Sequence, residues 1–220
     1  ERQFTADAAH ELRTPLAALQ AQLQVALRAR DGEERDRSLG QLQSGLTRAA
    51  HLVDQMLQLA RLDPESGLPD PRPVDLGMLA EATCADLGPL ILDKNLDFAL
   101  DAEPGCVVVG QAEWLGVLLR NLIDNAIRYT PAGGALRVGV SCAAGRCRLS
   151  VSDSGPGIPA HERDAVLRRF HRLDHGSQQG SGLGLAIVAR IAELHGADLD
   201  LAANDGNQGL RVTLTWQRRA

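Results

Sequence analysis

Residues 4–15 read Phe4-Thr-Ala-Asp-Ala-Ala-His10-Glu11-Leu-Arg-Thr14-Pro15, and they open a run of apolar residues at helical spacing. Ala9, Leu12, Leu16, Leu19, Leu23 and Ala26 are separated by three or four positions in strict alternation, the heptad spacing of a helix with one apolar seam. A second run, Leu39, Leu42, Leu46, Ala49, Val53, Met56 and Ala60, repeats the pattern. Between them lies Arg30-Asp-Gly-Glu-Glu, a polar turn in which Gly32 is expected to break the helix. The spacing predicts two helices of about 25 residues, each nearly 40 Å long at 1.5 Å per residue, folded back antiparallel. One hairpin does not bury two apolar faces by itself, so a dimer forming a four-helix bundle is expected.

His10 follows a seam position directly, which places it on the flank of such a bundle. Glu11 is its neighbour, and Thr14 lies at i+4 on the same face. Pro15 has no N–H for the Glu11 carbonyl, so a bend is expected there. A lone histidine on an amphipathic helix is ordinarily a solvated side chain, and His51 is read that way. His10 is read differently. The carboxylate beside it can hold the Nδ1 proton and leave Nε2 free to attack an electrophile.

Composition narrows the classes. Of 220 residues 44% are hydrophobic but only 3% aromatic, so the cores must be aliphatic. The net charge is -5, with no basic stripe, which argues against a nucleic-acid binder. There are 22 arginines and a single lysine, Lys94. Cys84, Cys106, Cys142 and Cys147 form no C-x-x-C pair and have no histidine at metal-ligand spacing, so they are read as reduced packing thiols. Cys142 and Cys147 flank Ala-Ala-Gly-Arg and are expected to face each other across a hairpin. No apolar run is long enough to span a bilayer, and no signal peptide is read.

Leu62 to Pro73 holds four prolines and a glycine, and the heptad period stops there. We read residues 1–63 as the helical hairpin, 64–73 as a linker and 74–220 as a second domain. In that domain Asp75 is placed to cap a helix running to about Asp93, and Ala112 to Tyr129 reads as a Leu-rich helix. Ala135–Cys142 with Cys147–Ser152 reads as a hairpin, Leu183–His195 as a helix, and Ala197–Ala202 with Leu210–Trp216 as a closing antiparallel pair. Together these predict a mixed sheet with helices on one face, an α/β sandwich.

Three stretches of the second domain carry chemistry. Asn121, Asn125 and Arg128 recur along one face of the Leu-rich helix. Amide oxygens suit Mg²⁺, and an arginine one turn on suits phosphate. Asp153-Ser-Gly155-Pro-Gly157 follows an alternating strand, and a carboxylate at a strand end can accept from an exocyclic amine such as that of adenine. Gly180-Ser-Gly182-Leu183-Gly184 opens a helix, where glycine-rich backbone and the helix dipole favour phosphate. It is neither the dinucleotide fingerprint nor the phosphate loop with a lysine. Taken singly, each stretch also has an ordinary reading, as a polar face, a turn or a flexible loop. Residues 161–179, with Arg169-Phe170-His171-Arg172, read as a lid in which His171 is scaffolding.

These stretches occur together in the order of the H, N, G1, F and G2 boxes, and the whole chain resembles the cytoplasmic kinase core of bacterial sensor histidine kinases. The wording around His10 looks like the branch containing polymyxin-resistance and quorum-sensing-type sensors. The resemblance implies a dimerisation and phosphoacceptor hairpin followed by a GHKL (Bergerat) ATP-binding domain. It implies His10 as phosphoacceptor, Glu11 as its base, and Thr14 positioning water for dephosphorylation. It further implies a nucleotide site of Asn121, Asn125, Arg128, Tyr129, Asp153, Gly155, Gly157, Gly180, Gly182, Leu183 and Gly184. Asn125, with Asn121 nearby, would ligate Mg²⁺, and ATP would be the phosphoryl source. Arg128 stands where the family often has lysine. The implied partners are a second copy and the receiver domain of a response regulator, without nucleic acid or direct membrane contact. The implied location is the cytoplasmic part of an inner-membrane sensor whose membrane and sensory segments lie outside this sequence. Two alternatives stay open: another ATPase of the GHKL fold, and a dimeric scaffold that binds nucleotide without transferring phosphate.

Overall fold

The computed structural model describes residues 2–29, 31–62, 70–173, 181–204 and 208–217, and within that set the side chains of residues 2–7, 9 and 10 are excluded. The chain forms two compact units, Glu1–Arg61 and Leu62–Ala220.

The first unit is a helical hairpin of α1 (Arg2–Arg28) and α2 (Gly32–Arg61). The break between the helices is made at Asp31 rather than by Gly32, which is already the first residue of α2. The Asp31 carboxylate accepts from the Glu34 N–H at 2.7 Å and so satisfies one orphan donor of the first turn. α1 continues through Pro15.

The heptad period is as the sequence predicts, and half of the predicted α2 seam faces inward, with Met56 buried and Leu42 and Ala49 half-buried. Ser38, Gly45, Leu52 and Leu59 recur every seven residues and are buried. The other half of the predicted seam is open, with Leu39, Leu46 and Val53 exposed by 45, 56 and 40%. On α1, Leu19 and Ala26 are buried while Leu16 and Leu23 are exposed. A Cβ on Gly45 would lie 2.7 Å from Leu19 Cδ2, so the bare glycine is the hole that receives the Leu19 knob.

The second unit contains β1 (Arg72–Asp75), α3 (Leu76–Asp93), β2 (Asp97–Ala102), β3 (Val107–Gly110), α4 (Ala112–Tyr129), β4 (Ala135–Ala143), β5 (Arg146–Asp153), α5 (Gly184–Leu194), β6 (Asp198–Ala203) and β7 (Leu210–Gln217). A 3-10 turn, Ala160–Glu162, lies between β5 and α5. Asp75 caps α3 as expected, accepting from the N–H groups of Gly77 and Met78. Five strands form one mixed sheet in the order β2-β4-β5-β7-β6, with β2 and β4 parallel and the other neighbours antiparallel. β1 and β3 stand apart as a separate antiparallel pair, a division the sequence reading did not make.

The alternation along the strands explains the layering. Leu136, Val138, Val140, Leu149, Val151, Val212 and Leu214 are buried on one face, while the intervening Arg137, Arg146 and Arg148 are exposed. α3, α4 and α5 pack in a row, each against strands of the sheet. No helix among the described residues is long and apolar enough to cross a membrane.

Two glycines of α2 give opposite expectations. A Cβ at Gly40 meets nothing within 4 Å, so Gly40→Ala should stabilise the helical unit by roughly 0.5–1 kcal/mol through helix propensity. Gly45→Leu fills the space Leu19 occupies and should destabilise it by about 1–3 kcal/mol. Thermal melts followed by helical circular dichroism test both signs.

Candidate functional site

The second half of α4 is where the stretches singled out in the second domain meet. Leu115, Leu118, Leu119, Leu122 and Ile123 are each 2% exposed or less and fix the helix against the core. The amide stripe lies off that apolar face. Asn121 is itself buried, and its Nδ2 donates to the Val117 carbonyl one turn back at 2.8 Å. That leaves its Oδ1 turned toward the start of α5. A Cβ on Gly184 would lie 3.2 Å from Asn125 Nδ2 and 3.3 Å from Asn121 Oδ1. A glycine lets the first turn of α5 close onto the two amides without pushing either aside. Leu183, fully buried before it, donates its N–H to Ser181 Oγ at 3.2 Å.

Asp153 ends β5 and is 6% exposed. One carboxylate oxygen accepts from the N–H of Gly155 at 2.7 Å and, more weakly, from that of Leu210 at 3.4 Å. Burial pushes the carboxyl above its ordinary range, and these two backbone donors oppose the rise without cancelling it. Gly155 is wedged between this carboxylate and the end of α4: a Cβ there would lie 2.8 Å from Asp153 Oδ1 and 2.9 Å from the Tyr129 carbonyl. Gly157 runs close against the Gly209 carbonyl. Arg128 and Tyr129, both half-buried, complete the last turn.

The Phe170 stretch joins the same region through the main chain. Its N–H donates to the Gly182 carbonyl at 3.0 Å, and Phe170 is held at a φ of 61°, a costly left-handed conformation for an aromatic residue. His171 Nε2 pairs with Glu162 at 2.9 Å, in keeping with a scaffolding role. Gly180 and residues 174–179 of the expected lid lie outside the described residues. His10, Glu11 and Thr14 belong to the helical unit. There Glu11 is half-exposed and Thr14 exposed, and the side chain of His10 lies outside the described residues.

Four residues that support the site escaped the sequence reading. Lys94 Nζ donates to the carbonyls of Ile127 and Arg128, the latter at 2.8 Å, and so caps the end of α4. Its ammonium is held below the ordinary lysine range, first by burial and then by Arg128. Thr130 is fully buried and donates to Ala126 O at 2.6 Å, closing the same helix end. Asn204 Nδ2 donates to the Asp153 carbonyl at 2.9 Å. Gly209, at a φ of +95°, passes so close that a Cβ would lie 1.9 Å from that carbonyl oxygen. The only signal for the last two was the turn composition of residues 204–209.

The comparisons with known proteins agree with this layout. Residues 1–65 match the His Kinase A (phospho-acceptor) domain. Residues 110–220 match the histidine kinase-, DNA gyrase B- and HSP90-like ATPase family. The chain belongs to the two-component sensor histidine kinases. It is 42% identical over 213 residues to the sensor protein kinase PmrB of Pseudomonas aeruginosa, covering 96% of this chain and 44% of that protein. It is 41% identical over 218 residues to the sensor protein QseC of Salmonella typhimurium, covering 98% of this chain and 47% of that protein. The histidine kinase chain thus spans a little under half the length of these two relatives. Among solved structures, the mycobacterial sensor histidine kinase MprB is 30% identical with a TM-score of 0.59, over 68% of this chain and 98% of that one. The second unit is an α/β sandwich of the GHKL type, following the helical hairpin.

The raised Asp153 carboxyl gives a signed expectation. The native state keeps this proton at pH values where the unfolded chain has lost it. The stability the proton contributes is present below the ordinary carboxylate range and is lost as pH rises through the raised value. Asp153→Asn keeps an acceptor oxygen for Gly155 and Leu210 without the buried charge. At neutral pH the variant should therefore melt no lower than the parent, and in acid its advantage should shrink. Melting temperatures of both proteins across that range check this.

Proposed function

We propose that the chain transfers the γ-phosphoryl group of ATP to His10 and then hands it to an aspartate of a response regulator. The observation that carries the nucleotide half is the closure of Gly184 onto the amides of Asn121 and Asn125, with Asp153 fixed behind Gly155 at the end of the same helix. The cradle at Gly184, which a Cβ would fill, and the amide oxygens beside it fit a hard cation that keeps part of its water shell. Asn125, with Asn121, would hold Mg²⁺, which when bound neutralises charge on the phosphates.

Each remaining role follows from residue chemistry. Asp153 would accept from the exocyclic amine of adenine. Its backbone donors keep it aimed, and its burial makes an unpaired contact there costly. Arg128 would meet phosphate through its fork of donors, and Tyr129 would line the site. The backbone of Gly182, Leu183 and Gly184 leads into the α5 N-terminus, where the dipole favours negative charge. Gly155, Gly157 and Gly180 would bring main chain close to the nucleotide. In the helical unit Glu11 would take the Nδ1 proton of His10, so that Nε2 attacks in line. Most of the rate would then come from positioning and charge neutralisation. Thr14 would orient water for dephosphorylating the regulator.

The division into a phosphoacceptor hairpin over 1–63, a linker over 64–73 and an ATP-binding domain over 74–220 follows the same reading. The open row of Leu39, Leu46 and Val53, with Leu16 and Leu23, supports a dimer through the hairpin, because a single chain leaves this heptad face in water. Family membership supports a place at the inner face of a bacterial membrane, as part of a longer sensor.

Incubation with γ-labelled ATP and Mg²⁺ tests the reading. Label should attach to the chain and be lost in acid, as expected of phosphohistidine. It should be absent in His10→Ala and fall roughly a hundredfold or more in Asn125→Ala. Acid-stable label, label retained in His10→Ala, or ATP binding with no label at all would overturn it. Thr14→Ala should slow loss of phosphate from a phosphorylated regulator, followed by the same label.

A further inference from the structure

The sequence reading treated the cysteines as packing, and for Cys84 that stands: it is buried within α3, and burial pushes its thiol up to about 11. The other three converge. Cys142 and Cys147 are direct cross-strand partners in the β4–β5 ladder, with their sulfurs 3.1 Å apart. Cys106, just before β3, is brought to them from the separate two-stranded sheet. The three sulfurs all lie within 4.8 Å of one another. Cys106 and Cys147 are fully buried, and Cys142 is half-exposed.

This cluster is held by the fold. The Cys106 carbonyl accepts from the Leu76 N–H at 2.9 Å at the start of α3. The Cys142 N–H donates to the Glu103 carboxylate at 2.8 Å. Trp216, the β7 partner of Cys147 in register, is 4% exposed, and its indole N–H has no acceptor among the described residues. The cluster also lies apart from the proposed nucleotide site. Cys147 and Asp153 sit six residues apart along β5, about 20 Å at strand rise.

We propose that Cys106, Cys142 and Cys147 form a binding site for one soft, thiophilic d10 cation, three-coordinate through sulfur. Three converging sulfurs without a histidine select such an ion over hard cations, and Zn²⁺ would need a fourth ligand beyond the three thiols. Half-exposed Cys142 is the route of entry. On binding, three S–H bonds break, three metal–sulfur bonds form, and three protons pass to solvent, with no change of oxidation state. Without the ion, burial foremost, with the hydrogen bond to Cys142 and the neighbouring sulfurs adding to it, pushes the Cys106 thiol up to about 12. Because binding releases three thiol protons, it weakens as pH falls.

The test is titration of the reduced 220-residue chain with Cd²⁺, and separately with Cu⁺, under anaerobic conditions. Ultraviolet charge-transfer absorption and equilibrium dialysis are the readouts. We expect one equivalent bound with a thiolate-to-metal band, and the same result in Cys84→Ala. Cys142→Ser, at the half-exposed position, and Cys106→Ala should lose the band while melting cooperatively. Absence of a band in the parent, or a band that persists in both variants, overturns the site. So does mild oxidation that consumes two thiols as a Cys142–Cys147 disulfide in a chain that binds neither ion.

Discussion

α4 is core on one side and carries the amides of Asn121 and Asn125 on another, and the second unit is arranged around that double demand. Its leucines and Ile123 are among the most deeply buried side chains of the described residues, and it packs between α3 and α5. A helix fixed so firmly on one side can present amides on another without losing their aim. The supports at its end follow from the same need. Thr130 and Lys94 satisfy the last carbonyls, so the turn bearing Arg128 and Tyr129 does not fray.

The glycines of the site serve close approach more than mobility. Gly184 lets a helix start against two amides, Gly155 lets a carboxylate sit beside the Tyr129 carbonyl, and Gly209 lets the start of β7 reach Asp153. The result is a site made from four separate stretches of chain with little slack. The left-handed Phe170, tied to Gly182, is the exception, a point where strain is stored beside the glycine stretch that leads into α5.

What was legible in the sequence, and what was not, divides along locality. The heptad period, the Asp75 cap and the β4–β5 hairpin depend on neighbours in sequence, and they were read correctly. The inward place of Gly45 was not legible, because it rests on a contact with Leu19 across the two helices. The pairing of β1 with β3 was missed for a similar reason: strands of four residues carry too little pattern to choose a partner. In the site, Asn121, Asn125, Asp153 and the glycines were recognisable as ordered motifs. Asn204 and Leu210 were not, since they act on Asp153 only after β7 folds back beside β5. The third sulfur, Cys106, was invisible on the same ground.

The solitary lysine has a chemical corollary. Twenty-two arginines carry the remaining fixed side-chain positive charge, so the interior of the chain offers a single primary amine, and it is the one that closes α4. Acylation of Lys94, whether by a labelling reagent or by a cellular acyl donor, cannot spread over many surface sites as it does in ordinary proteins. Among the side chains of these 220 residues it has one target, and modification there removes the ammonium that holds the last turn of α4.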